Sequence, residues 1–311
     1  MPLIPQPILV NGATHAAQTF RLLVRDLARD NEGITRGTDL KVTQLATPGG
    51  GVTVAAGSGI VTGRANTWQG SYAVANVGSA DVTIAPTGGT PRSDMLIVRV
   101  EDPEYEGTLN PAVDPVCYFQ VIPNVSSSAT TIPDGRTGIP LARIDIPAST
   151  ATITNAMITD LRKLANPRRE RRIWTQGPSA LSNVITGTSG TYAYFTTATG
   201  WTIPVPSWAS LATIRFDIGG LRLTTGAAFG DLSATFGASL GLQPTNLDDN
   251  QTTTRRVPHL MADTLTIPDA YRGTNQVLRA RARGFSGNAA GISVDTASML
   301  IADVEFVEAP R

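Results

Sequence analysis

The chain is divided into short runs of strand length by residues that favour turns. From residue 40 onward, apolar and polar residues alternate with a period of two, and Gly, Pro, Asp or Asn bounds each run. Met95–Val100 is almost entirely apolar, which predicts a central strand. With 30 Gly and 21 Pro among 311 residues, and only 16% charged residues, the composition is typical of β proteins with many tight turns. These patterns predict a mainly all-β fold.

Two β-sandwich domains are predicted, because the length exceeds that of most single cores. The first, residues 1–153, has one sizeable helix over Ala13–Asp30. Its apolar stripe should pack on a sheet, and this stripe consists of Ala16, Phe20, Leu23, Val24 and Leu27. The second domain, residues 173–311, has strand signals that favour an antiparallel sandwich of jelly-roll type.

A short helical neck, residues 154–172, is predicted to join the two domains. Thr154 can cap a helix that ends at Asn166-Pro167, after the strand that begins at Pro140. The apolar residues of this helix fall at spacings of three and four, and they are Met157, Ile158, Leu161 and Leu164. The following cluster, Arg168–Arg172, contains Glu170 and has no aromatic neighbours, so it predicts a solvated neck rather than a nucleic-acid site.

The sequence predicts no catalytic residue, no cofactor and no metal site. His15 and His259 are the only histidines, so no Ser-His-Asp arrangement or Cys/His zinc site is indicated. Asp248-Asp249 lacks the spacing of a calcium loop and is interpreted as a solvated turn. The sole cysteine, Cys117, is interpreted as a buried strand residue. The 25 basic and 25 acidic side chains cancel, and no apolar run approaches a membrane span, so neither nucleic acid nor membrane insertion is predicted.

Two features of the second domain are candidates for binding. Aromatic residues crowd into one stretch, and flat aromatic faces can stack on sugar rings. The glycan-contact candidates are Tyr192, Tyr194, Trp201 and Trp208. A sandwich core or trimer core built from the same residues is the simpler interpretation. Arg279, Arg281 and Arg283 alternate with small residues, which predicts three guanidiniums on one strand face. Such a row needs carboxylates, a partner chain or water opposite it.

Several segments of the first 165 residues carry a likeness to a known family, and they are Phe20–Val24, Glu32–Thr35, Leu40–Thr43, Gly51–Gly63, Thr90–Val100, Pro140–Pro147 and Ile158–Arg162. Together they resemble the N-terminal attachment domain of minor tail and baseplate proteins of long-tailed bacteriophages. The second domain resembles the distal jelly-roll heads of phage receptor-binding proteins in general pattern only, through endings such as Ser298–Phe306.

This resemblance implies a homotrimer in the virion, at the tail tip or baseplate, made in the cytoplasm of the host bacterium. The first domain would dock on another tail protein, the second would contact host cell-wall glycan, and the neck residues would lie near the three-fold axis. Two alternatives stay open. One is a purely architectural tail or capsid-attached protein without receptor contact. The other is a glycan-degrading tail enzyme, which would need two facing carboxylates.

Overall fold

The computed structural model describes Ile4, Ile8 and residues 10–311. The chain divides into two compact units. The first extends to Pro167 and includes Pro310 and Arg311, and the second comprises Arg168–Ala309. Strands provide most of the regular structure in both units, which confirms the all-β prediction.

In its described residues the first unit contains one α-helix and ten strands. They are α1 (Ala17–Leu27), β1 (Gly33–Ile34), β2 (Val42–Gln44), β3 (Gly51–Val54), β4 (Gly57–Thr62), β5 (Ser71–Asn76), β6 (Ala80–Thr83), β7 (Arg92–Val100), β8 (Cys117–Ile122), β9 (Gly138–Ile146) and β10 (Ile158–Asp160). The strands form three antiparallel sheets, ordered β1-β4-β5, β2-β3-β6 and β10-β9-β7-β8. All three sheets contribute side chains to a shared core, including Val61, Val52 and Leu96. The predicted central strand is confirmed, because β7 is buried from Asp94 to Val100.

The helix α1 exposes much of the apolar stripe that was predicted to be buried. It is shorter than predicted, and Phe20 and Leu27 are 49% and 74% exposed. The buried residue of the helix is instead Arg21. Its guanidinium forms ion pairs with Asp102 at 3.3 Å and with Glu104 at 2.8 Å. A charged anchor, rather than the hydrophobic stripe, therefore holds α1 on the unit.

The helical neck predicted for residues 154–172 is wrong. Asn155–Met157 form a single 3₁₀ turn, and β10 then pairs with β9. β-Branched residues favour strands, and an isolated helix of this length would be only marginally stable. The segment therefore forms a strand on the free edge of the sheet. The four predicted neck residues pack against the core clusters of their own unit, and they are Met157, Ile158, Leu161 and Leu164.

The second unit contains eleven strands in its described residues. They are β11 (Arg169–Gln176), β12 (Ala193–Tyr194), β13 (Trp201–Pro204), β14 (Leu211–Leu223), β15 (Ala228–Phe236), β16 (Leu240–Gly241), β17 (Thr245–Asp249), β18 (Arg255–Thr266), β19 (Asn275–Gly284), β20 (Ile292–Ser293) and β21 (Met299–Val307). A 3₁₀ turn, Asp269–Tyr271, precedes β19.

The strand order of the second unit is that of a jelly roll. One sheet has the order β11-β21-β14-β18, and in the other β13-β19-β15-β17 are neighbours, with all pairs antiparallel. Alternation along the strands turns apolar residues of both sheets inward into one core. Phe236 of one sheet and Phe306 of the other meet there, with ring centroids 6.5 Å apart.

The cluster Arg168–Arg172 is exposed, as predicted, but it is not a neck, because most of it belongs to β11 at the edge of a sheet. Period-two alternation places Arg169 and Arg171 beside acidic residues of β21. Arg171 forms an ion pair with Asp303, and Arg169 approaches Glu305 at 3.5 Å. These cross-strand pairs explain how so charged a segment forms a strand.

Two smaller predictions are also corrected. Cys117 is exposed at the first position of β8 instead of buried. Asp248-Asp249 lies in β17 rather than in a solvated turn, and the Asp249 carboxylate pairs with Arg255 at 3.0 Å. That hydrogen-bonded ion pair lowers the pKa of Asp249. No helix within residues 10–311 combines the length and hydrophobicity that crossing a membrane requires.

We expect the stability of the second unit to fall as the solution is acidified below about pH 6.5. His259 lies in β18, where its Nε2 is 2.7 Å from the Thr245 hydroxyl, and burial lowers the pKa of its imidazole. The unfolded chain therefore binds a proton first, and the free energy of unfolding decreases until the pH passes the folded-state pKa.

Urea unfolding at about pH 7.5 and pH 5 measures this effect in wild type and in His259→Gln. The substitution should remove much of the stability loss over that interval, while the dependence at lower pH, which carboxyl groups dominate, should remain. An unchanged difference between the two pH values in the variant would contradict the assignment to His259.

Candidate functional site

The structure separates the predicted aromatic cluster into two places. Tyr194 pairs across strands with Arg281, and the adjacent pair, Ala193 and Ala282, points the other way, toward the core. Tyr192 is two residues earlier and lies against the side chains of Arg281 and Arg283. Both tyrosines are therefore on the outer face of the sheet that contains β19.

Trp201 and Trp208 lie instead at the margin of the jelly-roll core. The Trp201 ring packs against Phe216, with centroids 5.4 Å apart, and its indole Nε1 donates to the Thr175 carbonyl at 3.1 Å. Trp208 packs on the same core, with the Arg168 guanidinium 5.3 Å from its ring centroid. The sandwich-core interpretation of the aromatic cluster therefore describes these two tryptophans, but not Tyr192 and Tyr194.

The outer face carries alternating guanidiniums and phenol rings, which we call the arginine–tyrosine ladder. Its members are Tyr192, Tyr194, Arg279, Arg281 and Arg283. The sequence dictates this arrangement, because small or apolar residues alternate with the arginines in β19. Leu278, Ala280 and Ala282 fill the core and are at most 1% exposed. The arginines must then project from the opposite face.

Each arginine of the ladder lies over a tyrosine ring. The Arg279 guanidinium carbon is 4.6 Å from the Tyr194 centroid, and those of Arg281 and Arg283 are 4.1 Å and 4.4 Å from the Tyr192 centroid. Stacking of this kind is favourable because the ring face is electronegative. Two guanidiniums cover the Tyr192 ring in this way, whereas Tyr194 remains 39% exposed.

The three arginines differ in their counter-charges. Arg283 forms a two-pronged pair with Asp231, at 2.9 Å from Nε and 2.8 Å from Nη2. Arg279 donates to the Phe195 carbonyl at 3.1 Å. Arg281 has no ion pair in residues 10–311, and its buried Nε has no hydrogen-bond partner there. One carboxylate thus serves three guanidiniums, which leaves the ladder with an excess of positive charge.

Burial and the nearby Asp231 carboxylate raise the pKa of Tyr192 to about 12. The Tyr192 phenol is therefore neutral at physiological pH. The hydrogen bond from Arg283 to the same Asp231 carboxylate raises the pKa of Arg283. The sequence did not identify Asp231 as the partner of the ladder residue Arg283. Its position in alternation with apolar β15 residues placed it on the outer face, but only the strand register puts it opposite Arg283.

Neither a protein-family model nor a curated protein sequence matches this chain. Similar solved structures include the infectious bursal disease virus Gx strain (12% identity, 90% of this chain, 74% of that chain, TM-score 0.24). The VP2 subviral particle of the same virus is 14% identical over 89% of this chain and 77% of that chain, with a TM-score of 0.25. A Bacillus thuringiensis Cry1Da tryptic core variant is 11% identical over 98% and 57%, with a TM-score of 0.23. Such low scores support no statement about the function of this chain.

Proposed function

We propose that this chain is a virion structural protein of the tail tip or baseplate of a long-tailed bacteriophage. In this proposal its first unit docks on another tail protein, and its second unit, as a homotrimer, binds a glycan of the host surface. The resemblance of the first 165 residues supports the location. The arginine–tyrosine ladder carries the adhesive role, because it presents polar hydrogen-bond donors and the 39% exposed Tyr194 on a rigid sheet.

The docking role is supported by the outward stripe of α1. Phe20 and Leu27 are 49% and 74% exposed, and Trp68 nearby is 64% exposed. Arg25 stacks 5.9 Å from the Trp68 centroid, so Trp68 lies beside α1, on the side of the first unit that carries the helix. Exposed apolar patches of this kind commonly mark protein–protein contacts. We assign this side to the neighbouring tail protein.

Binding is favoured over hydrolysis by the state of the acidic side chains. A glycosidase needs two free carboxyl groups facing each other across a sugar. In the second unit many carboxylates instead pair with arginines, among them Asp231, Asp217, Asp295, Asp303, Glu305 and Asp249. Three copies of a weak site on one rigid body would gain affinity through effective concentration, often by about 10²-fold or more.

Substituting Tyr194 tests the adhesive role. We expect Tyr194→Ala in the full-length chain to weaken binding to host cells by about 3- to 10-fold per site, the equivalent of one lost aromatic contact. Phe229→Ala is the matched control, because Phe229 is a similarly exposed aromatic residue, at 43%, in the same sheet. Cell-bound protein is quantified by fluorescence over a concentration series.

Equal binding by both variants would remove Tyr194 from the contact. Failure of the wild-type chain to bind host cells at all would favour the purely architectural role, in which the second unit contacts other virion proteins. Release of reducing ends from host polysaccharide would instead require an enzymatic function.

A further inference from the structure

We infer that Arg281 binds an oxyanion of the ligand, so that the glycan recognised by the second unit is acidic. The inference rests on the proposed adhesive function and narrows its substrate class. The shared chemistry is a carboxylate or phosphate on a sugar or polyol chain, as in a uronic acid polymer or a poly(glycerol phosphate).

The first observation is the missing counter-charge. Asp231 neutralises Arg283, with its carboxylate 4% exposed and both oxygens engaged. The Arg281 guanidinium has neither an ion pair nor a hydrogen bond within residues 10–311, and its Nε is buried without a partner. A guanidinium held against a ring and partly removed from water is stabilised by an acceptor. An external oxyanion supplies one.

The second observation is the space beside Arg281. Gly241 is exposed in β16, and a Cβ atom built on it would lie 3.7 Å from Arg281 Nη2. Gly241 does not have a positive φ, so its backbone conformation does not require glycine. Residue 241 therefore places no side chain over Arg281 Nη2. Glycine in a strand commonly marks such a close approach by a ligand or another backbone.

The third observation is the rigidity of the group. Stacking 4.1 Å from the Tyr192 centroid holds the Arg281 guanidinium in place. Tyr194 donates from its hydroxyl to Thr235 at 3.3 Å, which positions a second polar edge along the same face. A guanidinium that is already oriented loses little conformational entropy when it binds, and its planar fork matches the two oxygens of an oxyanion.

The occupied Tyr192 ring explains why charge, rather than ring stacking alone, should decide recognition. With arginines lying over it, this ring cannot also accept a sugar on the same face. Guanidinium N–H groups of the ladder lack acceptors within residues 10–311, and such donors prefer anionic acceptors. A neutral polysaccharide would leave Arg281 without its counter-charge.

Titration calorimetry of the full-length protein tests this with three probes: an oligogalacturonate, a poly(glycerol phosphate) oligomer and a neutral galactan. We expect at least one acidic probe to bind about 10-fold or more tightly than the galactan. Arg281→Gln should abolish that difference. Gly241→Val should also abolish the difference in affinity between acidic and neutral probes, although it keeps the Arg281 charge, because the valine side chain would cover Nη2. Valine is compatible with the strand at this position. The two acidic probes distinguish carboxylate from phosphate as the recognised group.

Arg215→Gln is the control, since it removes one positive charge from the other sheet, where Arg215 pairs with Asp217 at 3.0 Å. Circular dichroism and the melting temperature establish that each variant is folded. Equal affinity of wild type for acidic and neutral probes would overturn the inference and leave the adhesive function standing. Loss of oligomers in Arg281→Gln, with unchanged probe binding, would also overturn it, because Arg281 would then meet a carboxylate of a second copy. Absence of binding to all glycans, including host wall material, would instead remove the adhesive function itself.

Discussion

Arg21→Ala is expected to lower the free energy of unfolding of the first unit by about 3–5 kcal/mol, the usual cost of removing one partner from a buried ion pair. The Arg21 side chain is 10% exposed and Asp102 is 16% exposed. Arg21 Nε donates to the Gln69 carbonyl at 2.8 Å, and the guanidinium also lies 5.1 Å from the Tyr105 centroid. Alanine would leave the Asp102 carboxylate without its counter-charge and the Gln69 carbonyl without the Arg21 donor, and would release α1.

Arg25→Ala is the matched control for this change. It lies one turn further along α1, but its partner Asp26 is 65% exposed, so the pair contributes at most about 1 kcal/mol. Differential scanning calorimetry should show the first unit melting earlier in Arg21→Ala, with the second unit unchanged. Equal stability of the two variants would mean that the apolar side chains of α1, and not Arg21, hold the helix.

The α1 result shows where periodicity stops being informative. Apolar residues at helical spacing predicted a helix, and one forms over Ala17–Leu27. Spacing alone assigned the apolar side to the core, as it would for most surface helices. It could not anticipate that Asp102, Glu104 and Tyr105, about 80 residues later, would converge on Arg21. A long-range ionic network has no local sequence signature.

Helix and strand were confused at one place, where the local pattern was ambiguous. The spacing of Met157, Ile158, Leu161 and Leu164 fits a helical face, yet β-branched residues around them favour extended backbone. The free edge of β9 decided the outcome. Long alternating strands carried no such ambiguity, and for this reason the jelly-roll arrangement of the second unit was predictable from its strand signals.

Half of the candidate site was also accessible from the sequence. Alternation in β19 predicted that three arginines share a face, and the cluster of aromatic residues named Tyr192 and Tyr194. The contact between these arginines and tyrosines was not predictable, because it depends on the pairing of β12 with β19, which are about 80 residues apart. The register of β13 on β19 separates Trp201 from the ladder, since Trp201 is paired with the buried Leu278.

Phe236→Ala is expected to destabilise the second unit by about 3–5 kcal/mol, through lost burial and the cavity left behind. Phe236 is fully buried, and its ring lies 6.2 Å from Tyr271 and 6.5 Å from Phe306, so it connects the two sheets. Phe229 is in the same strand but 43% exposed, and Phe229→Ala should cost less than about 1 kcal/mol. Urea unfolding followed by tryptophan fluorescence reports on this unit, because Trp174, Trp201 and Trp208 all pack on its core. Similar midpoints for the two variants would contradict a core shared by both sheets, and with it the rigidity on which the ladder depends.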